Sequence, residues 1–258
     1  MRGQQRQIQA AAIAICTSIA IQSGGVQAFT PVQELLITRQ CQGCNLQGAI
    51  LQGLELSEVN LQRADLRGAD LRDVALFRAD LRWSLLDGAN LAQARLGDID
   101  ARDTSAQGAD FSGARLTQAQ FNDSNLAGAN LAEIIGTESN FQGANLTGVQ
   151  LSNATLVRAT MGNAMLIGAV LTGSDLYSAN LIRADLSNAN LRGANLANTR
   201  LIRVTLSGAD LTDAILIDAN VVRTDLETAI LCRTIMPDGT ENNSDCPVAP
   251  EDDTPAAP

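Results

Sequence analysis

The chain has 258 residues, 45% apolar but only 3% aromatic, and it contains neither Lys nor His. Without His no Ser-His-Asp or Cys-His catalytic arrangement can be built, and without Lys there is no phosphate-cradling Gly-Lys loop. The formal charge of −10 disfavours nucleic acid and anionic membrane surfaces as partners, because neutralising phosphates takes a basic stripe.

Residues 1–28 read as a signal peptide. Arg2 and Arg6 give a short positive start, Ala10 to Ile21 is an apolar run too short to span a bilayer, and Val26-Gln27-Ala28 precedes a cut. Removing them leaves 16 of the 18 Arg against 28 Asp and Glu, a net charge near −12. The mature chain is expected outside the cytoplasm, in a periplasm, a thylakoid lumen or the extracellular space, with no membrane association of its own. Residues 29–43 form an N-terminal helical cap, in which Pro31 to Gln40 makes a short helix with Val32, Leu35 and Leu36 on one face. The mature cysteines are Cys41, Cys44, Cys232 and Cys246. Export favours disulfides, four cysteines allow three connectivities, and the favoured pair is Cys232 with Cys246, which ties the tail to the last coil. Cys41-Gln-Gly-Cys44 lacks the second Cys or His pair of a zinc site, and no metal or cofactor is expected.

From Leu46 to Leu231 a large apolar residue recurs every fifth position without insertion. The departures from Leu are Ala101, Ala106, Phe111, Phe121, Gly136, Phe141, Met161 and Val221. Two residues before each centre stands a small or aliphatic residue, as at Ala64, Ala69, Ala129 and Ala194. A period of five fits neither 3.6 nor 2, so the stretch is neither an amphipathic helix nor a run of alternating strands. Each unit instead makes one side and one corner, with two residues inward and three toward water. The motif A-(D/N)-L-x-x, in Ala64-Asp65-Leu66, Ala69-Asp70-Leu71, Ala129-Asn130-Leu131 and Ala194-Asn195-Leu196, resembles that of the pentapeptide-repeat family over residues 44–233. The resemblance implies an all-β solenoid, a right-handed quadrilateral β-helix of four sides per coil, about nine to ten coils here.

The residue two after the centre, taken every fourth unit, reads Gly48, Gly68, Gly88, Gly108, Gly128, Gly148, Gly168, Asn188, Gly208, Thr228. A type II corner needs positive φ at this residue, which Gly and Asn accept at low cost, so a twenty-residue coil is legible from the residues alone. The adjacent small fillers Ala101 and Ala106 predict the weakest stretch of the rod. Residues 234–258 form a C-terminal cap, turn-rich around Pro237-Asp238-Gly239, followed by a disordered acidic tail.

The acids before the centres, such as Asp65, Asp80 and Asp185, are expected to bond nearby backbone rather than to form a catalytic pair. Arg63 with Asp65, Arg78 with Asp80, Arg183 with Asp185 and Arg223 with Asp225 are expected as surface ion pairs. Arg183, Arg203 and Arg223 stack on one side beside Arg200 as a candidate anion contact, unless Asp185 and Asp225 neutralise them. Ile182, Ile202 and Val222, with Val157, Tyr177 and Ile217 on the adjoining side, form a candidate protein interface, for an unidentified partner or a homodimer. The expected function is a non-enzymatic binding or scaffold protein. The alternatives are a DNA-mimic regulator or protector of a topoisomerase, which the resemblance offers, and a purely structural or stress-related solenoid.

Overall fold

The computed structural model describes residues 29–247. The expected signal at 1–28 and the acidic stretch after 247 lie outside the described residues.

Each five-residue unit turns by the same local bond. At Leu61 the centre's carbonyl accepts the N–H of Ala64 at 3.0 Å, and the intervening Arg63 takes φ 55°. That left-handed conformation recurs at the second residue after the centre on all four corners, at Trp83, Asp103, Glu133 and Asp218 as much as at Gly68. The glycine column therefore marks the twenty-residue period but no special corner. A Cβ at Gly48, Gly68, Gly88 or Gly108 would meet nothing within 4 Å, and nothing in the structure explains the concentration of glycine on that edge. Its last member, Thr228, departs because Leu226–Thr228 forms a 3-10 turn.

The residue before each centre bridges in parallel to the residue twenty later, from Gln40↔Asn60 and Asn45↔Asp65 through to Ile215↔Ile235. Four units thus make one coil, and the sides are named here by their centres: A (Leu46, Leu66), B (Leu51, Leu71), C (Leu56, Leu76) and D (Leu61, Leu81). Most sides contribute a single bridging residue per coil. Near the C-terminal end side D widens into strand β1, Arg200–Ile202, paired in parallel with β2, Asn220–Val222.

The two inward columns meet along the axis. Leu66, Leu86, Leu126 and Leu146 lie on side A at 0–1% exposure, with Ala64, Ala69, Ala129 and Ala194 equally buried. Burying one such Leu is worth about 1.5–3 kcal/mol, so stability is spread along the rod and coupled between neighbouring coils. Close to the small fillers Ala101 and Ala106 the centres carry aromatic rings. Phe111 faces Ala101 across the same coil, Phe121 lies one coil above it, and both rings are fully buried 5.9 Å apart, with Phe141 stacked on Phe121 at 5.5 Å. Where Gly136 replaces the centre, Leu156 and Ile134 close in, so that a Cβ there would meet Leu156 Cδ2 at 3.1 Å and Ile134 Cδ1 at 3.5 Å.

Both ends are covered. Helix α1, Pro31–Thr38, starts with Pro31 at its first position and a capping box between Thr30 and Gln33. It stops two residues before Gln40 because Arg39 turns left-handed at φ 60°, its N–H closing on the Leu35 carbonyl. Leu35 is buried, and Val32 and Leu36 pack partly buried against the core. The bridging ladder opens at Gln40, one unit before Leu46, so Cys41 occupies a centre and Cys44 the following small position. The Cys41–Cys44 disulfide staples that first corner from inside. At the other end β3, Thr234–Ile235, and β4, Glu241–Asn242, form an antiparallel pair. Asp245 bonds Leu231 through both its N–H and its carboxylate, and the Cys232–Cys246 disulfide fixes the return.

Candidate protein-binding surface

The position before the centre gives its acids a shared role. Its Asp or Asn accepts the N–H of the residue after the centre, as Asn60 does from Gln62 at 3.1 Å and Asp65 from Arg67 at 3.2 Å. Between coils the same side chains form rungs, with Asn130 donating to Asp110 and Asn195 to Asp175. These carboxylates are structural acceptors. Among the described residues no group of His, Cys, Asp and Glu is arranged to hold a metal ion, and no helix is long and apolar enough to cross a membrane.

The ion pairs run opposite to expectation. Asp65 pairs with Arg67 and Asp80 with Arg82, each at 2.6 Å, not with Arg63 and Arg78. The reason is the corner. A residue at positive φ points away around the edge, whereas the residues flanking a centre share one face and are already joined through the N–H bond. The Arg67 side chain holds the Asp65 carboxyl below the usual carboxylate range. At Asp80 burial alone pushes upward, but bonds from the Arg82 and Gln62 side chains and the Arg82 N–H outweigh it and the net direction is down. Arg63 lies instead 5.3 Å from the Trp83 ring centroid, and Arg78 4.8 Å from that of Phe77.

In the last third of the rod the surface changes character. Tyr177, Ile217 and Val222 are 40–45% exposed, while Val157, Ile182 and Ile202 are half-buried. Val157, Tyr177 and Ile217 lie at the corner between sides C and D, and Ile182, Ile202 and Val222 beside the corner between sides D and A, so the six border side D. The structure adds Ile215, 38% exposed, beside Ile217. Sequence reasoning missed it because its column, before the centre, is read as polar. The signal available was the absence of Asp or Asn there.

Arg183, Arg203 and Arg223 occupy the corner between sides D and A, with Arg200 on β1. Among the described residues none of the four has a carboxylate within ion-pair distance. Asp185 instead accepts from the N–H and hydroxyl of Ser187, and Asp225 from the N–H of Glu227, so the expected neutralisation does not occur.

A model of pentapeptide repeats matches eight copies in this chain, over segments that run from residue 40 to residue 233. The chain belongs to the pentapeptide-repeat family. Among solved pentapeptide-repeat structures it is similar to HetL of the cyanobacterium Nostoc sp. strain PCC 7120, a protein involved in heterocyst differentiation regulation. The two are 30% identical with a TM-score of 0.53, covering 79% of this chain and 91% of HetL. QnrB1, a plasmid-mediated fluoroquinolone resistance protein, matches at 18% identity and a TM-score of 0.49 over 77% of this chain and 91% of its own. A thylakoid-lumen pentapeptide-repeat protein of Arabidopsis thaliana matches at 27% identity and a TM-score of 0.28, over 38% of this chain and 66% of that one. Comparison with curated proteins finds no match.

Proposed function

We propose that this pentapeptide-repeat protein is an exported, non-enzymatic binding or scaffold protein that presents the C-terminal third of its rod to a protein partner. The rod is taken as right-handed, about nine to ten coils and on the order of 45 Å long at about 4.8 Å per coil. The observation that carries the reading is the aliphatic strip of Val157, Tyr177, Ile182, Ile202, Ile217 and Val222, in which Ile182, Ile202 and Val222 continue a column that earlier coils fill with Gln62, Arg82 and Gln142. An apolar column on a solvated corner raises the free energy of the isolated rod, and a covering partner recovers it. Export is supported by two disulfides within one chain, a pattern of oxidising compartments, and it separates the protein from cytoplasmic topoisomerases.

The test has two parts. N-terminal sequencing of the protein recovered from a periplasmic or lumenal fraction should find a start near Phe29, and recovery of an uncleaved chain in cytosol would overturn the export reading. Partners fixed by cross-linking in that fraction should be lost with Ile202→Glu plus Ile217→Glu while the melting temperature stays unchanged. Unaltered cross-linking would make the strip mere strand filler favoured by β-propensity.

A further inference from the structure

The corner between sides D and A carries an ordered charge pattern of its own. Reading up the rod, the residues at positive φ are Arg63, Trp83, Asp103, Asp123, Gly143, Asn163, Arg183, Arg203 and Arg223. Off this column eight of the twelve described arginines have a carboxylate close by, namely Arg67, Arg72, Arg82, Arg95, Arg102, Arg158, Arg192 and Arg233. On this edge none does. Among the described residues Asp103, Asp123, Arg183, Arg203 and Arg223 all stand without an ion-pair partner, and all five are exposed.

The pattern is antisymmetric about the point between Gly143 and Asn163. Two acids, Asp123 and Asp103, lie one and two coils below Gly143, and two arginines, Arg183 and Arg203, lie one and two coils above Asn163. We infer that this edge is a self-complementary interface, on which two copies pack side by side and antiparallel. A two-fold axis lying in the contact plane and perpendicular to the rods maps each column onto itself with its direction reversed. It therefore sets Asp123 against the partner's Arg183 and Asp103 against the partner's Arg203. Each contact occurs twice, as an isologous interface requires. The register holds along the edge because both rods have the same rise per coil, a match that an unrelated partner would not supply.

The middle of the edge suits close approach. Gly143 and Gly162 bring backbone near the axis, and a Cβ at Gly143 would collide with the Asp123 carboxylate. Beside the axis on side A stand Met165, 43% exposed, and Ile167, 37% exposed, an apolar centre framed by the charged rungs. The next rung, Arg223 toward the edge of Trp83, marks the rim, since Trp83 already lies between Arg63 and Arg82. The net negative charge opposes association. At about 0.15 M salt, however, charges more than about 8 Å apart are largely screened whereas opposed contact pairs are not.

Ile182, Ile202 and Val222 directly precede Arg183, Arg203 and Arg223, so this edge adjoins half of the aliphatic strip. The charge-swap rescue below separates the two, because a partner held by the strip alone is not restored by Asp103→Arg. Sedimentation velocity at tens of micromolar and about 0.15 M salt should show a monomer–dimer equilibrium in the mature chain. Arg203→Asp puts like charges in opposition twice per dimer and should weaken self-association about tenfold or more. Combining it with Asp103→Arg restores opposite charges in the same register and should bring the dimer back, while either single reversal alone does not. Both positions are exposed, and every variant is required to keep the wild-type melting temperature. A wild type that stays monomeric, or a dimer equally strong in the single and double variants, overturns the proposal.

Discussion

A side-chain hydroxyl can take over a corner in this rod, and the consequences are local and large. At most corners the centre's carbonyl receives the N–H three residues on. At the Leu201 corner the hydroxyl of Thr224, one coil above, donates to the Leu201 carbonyl at 2.8 Å and accepts the Val204 N–H at 2.9 Å. Ser124 does the same for Ala101 and Thr104. Thr224→Val keeps the shape but leaves the Val204 N–H and the Leu201 carbonyl without that partner, in a region where Val204 is buried. The expected cost is about 1–3 kcal/mol, read as a lower melting temperature and faster amide exchange at Val204. The pattern behind this was only half legible. That Thr224 fills an inward position follows from its place two before Leu226, but its bond reaches a residue 23 positions away and exists only once coils stack.

Among elements, the two ends differ in how they are held. Helix α1 carries its own capping box and one deeply buried anchor, Leu35, and these features are written in a few adjacent residues. The C-terminal pair β3–β4 is too short to stand alone and depends on Asp245 and on the Cys232–Cys246 disulfide, whose cysteines are 14 residues apart. Closing a loop of that size is worth about 3 kcal/mol in the chain-entropy account. Replacing both cysteines with Ser should free residues 234–246 without melting the middle of the rod. Hydrogen exchange should therefore show lost protection at Ile235 and Met236 and unchanged protection at Leu126 and Leu146, because neighbouring coils are coupled far more strongly than distant ones. Global unfolding on loss of this disulfide would contradict that picture.

For the whole molecule, the charge complement dictates the response to pH. Asp65 and Asp70 are held below the usual carboxylate range by the Arg67 and Arg72 side chains, and Asp213 by that of Arg233. A carboxylate depressed in the folded state contributes stability that is present above its unfolded value and is lost as pH falls through the folded one. With no His and the described cysteines in disulfides, few groups titrate between pH 5 and 8. The melting temperature at fixed ionic strength should be flat across that interval and fall below about pH 4. A transition near pH 6 would mean that a group outside this account governs stability.

The repeat, the inward pair and the twenty-residue coil were determined by sequence alone, because a narrow axis accepts only a large and a small residue at a fixed spacing and the chain records that demand unit after unit. The acids before Leu66 and Leu71 were legible as backbone acceptors for the same reason, their partners lying two residues away. The direction of the ion pairs, the placement of the Phe111 and Phe121 rings close to Ala101, and the arginines left without carboxylates were decided by tertiary structure. Each depends on which side of a left-handed corner a side chain leaves, and on what the coil twenty residues away sets beside it. Stacking alone creates those neighbours, so no local pattern encodes them.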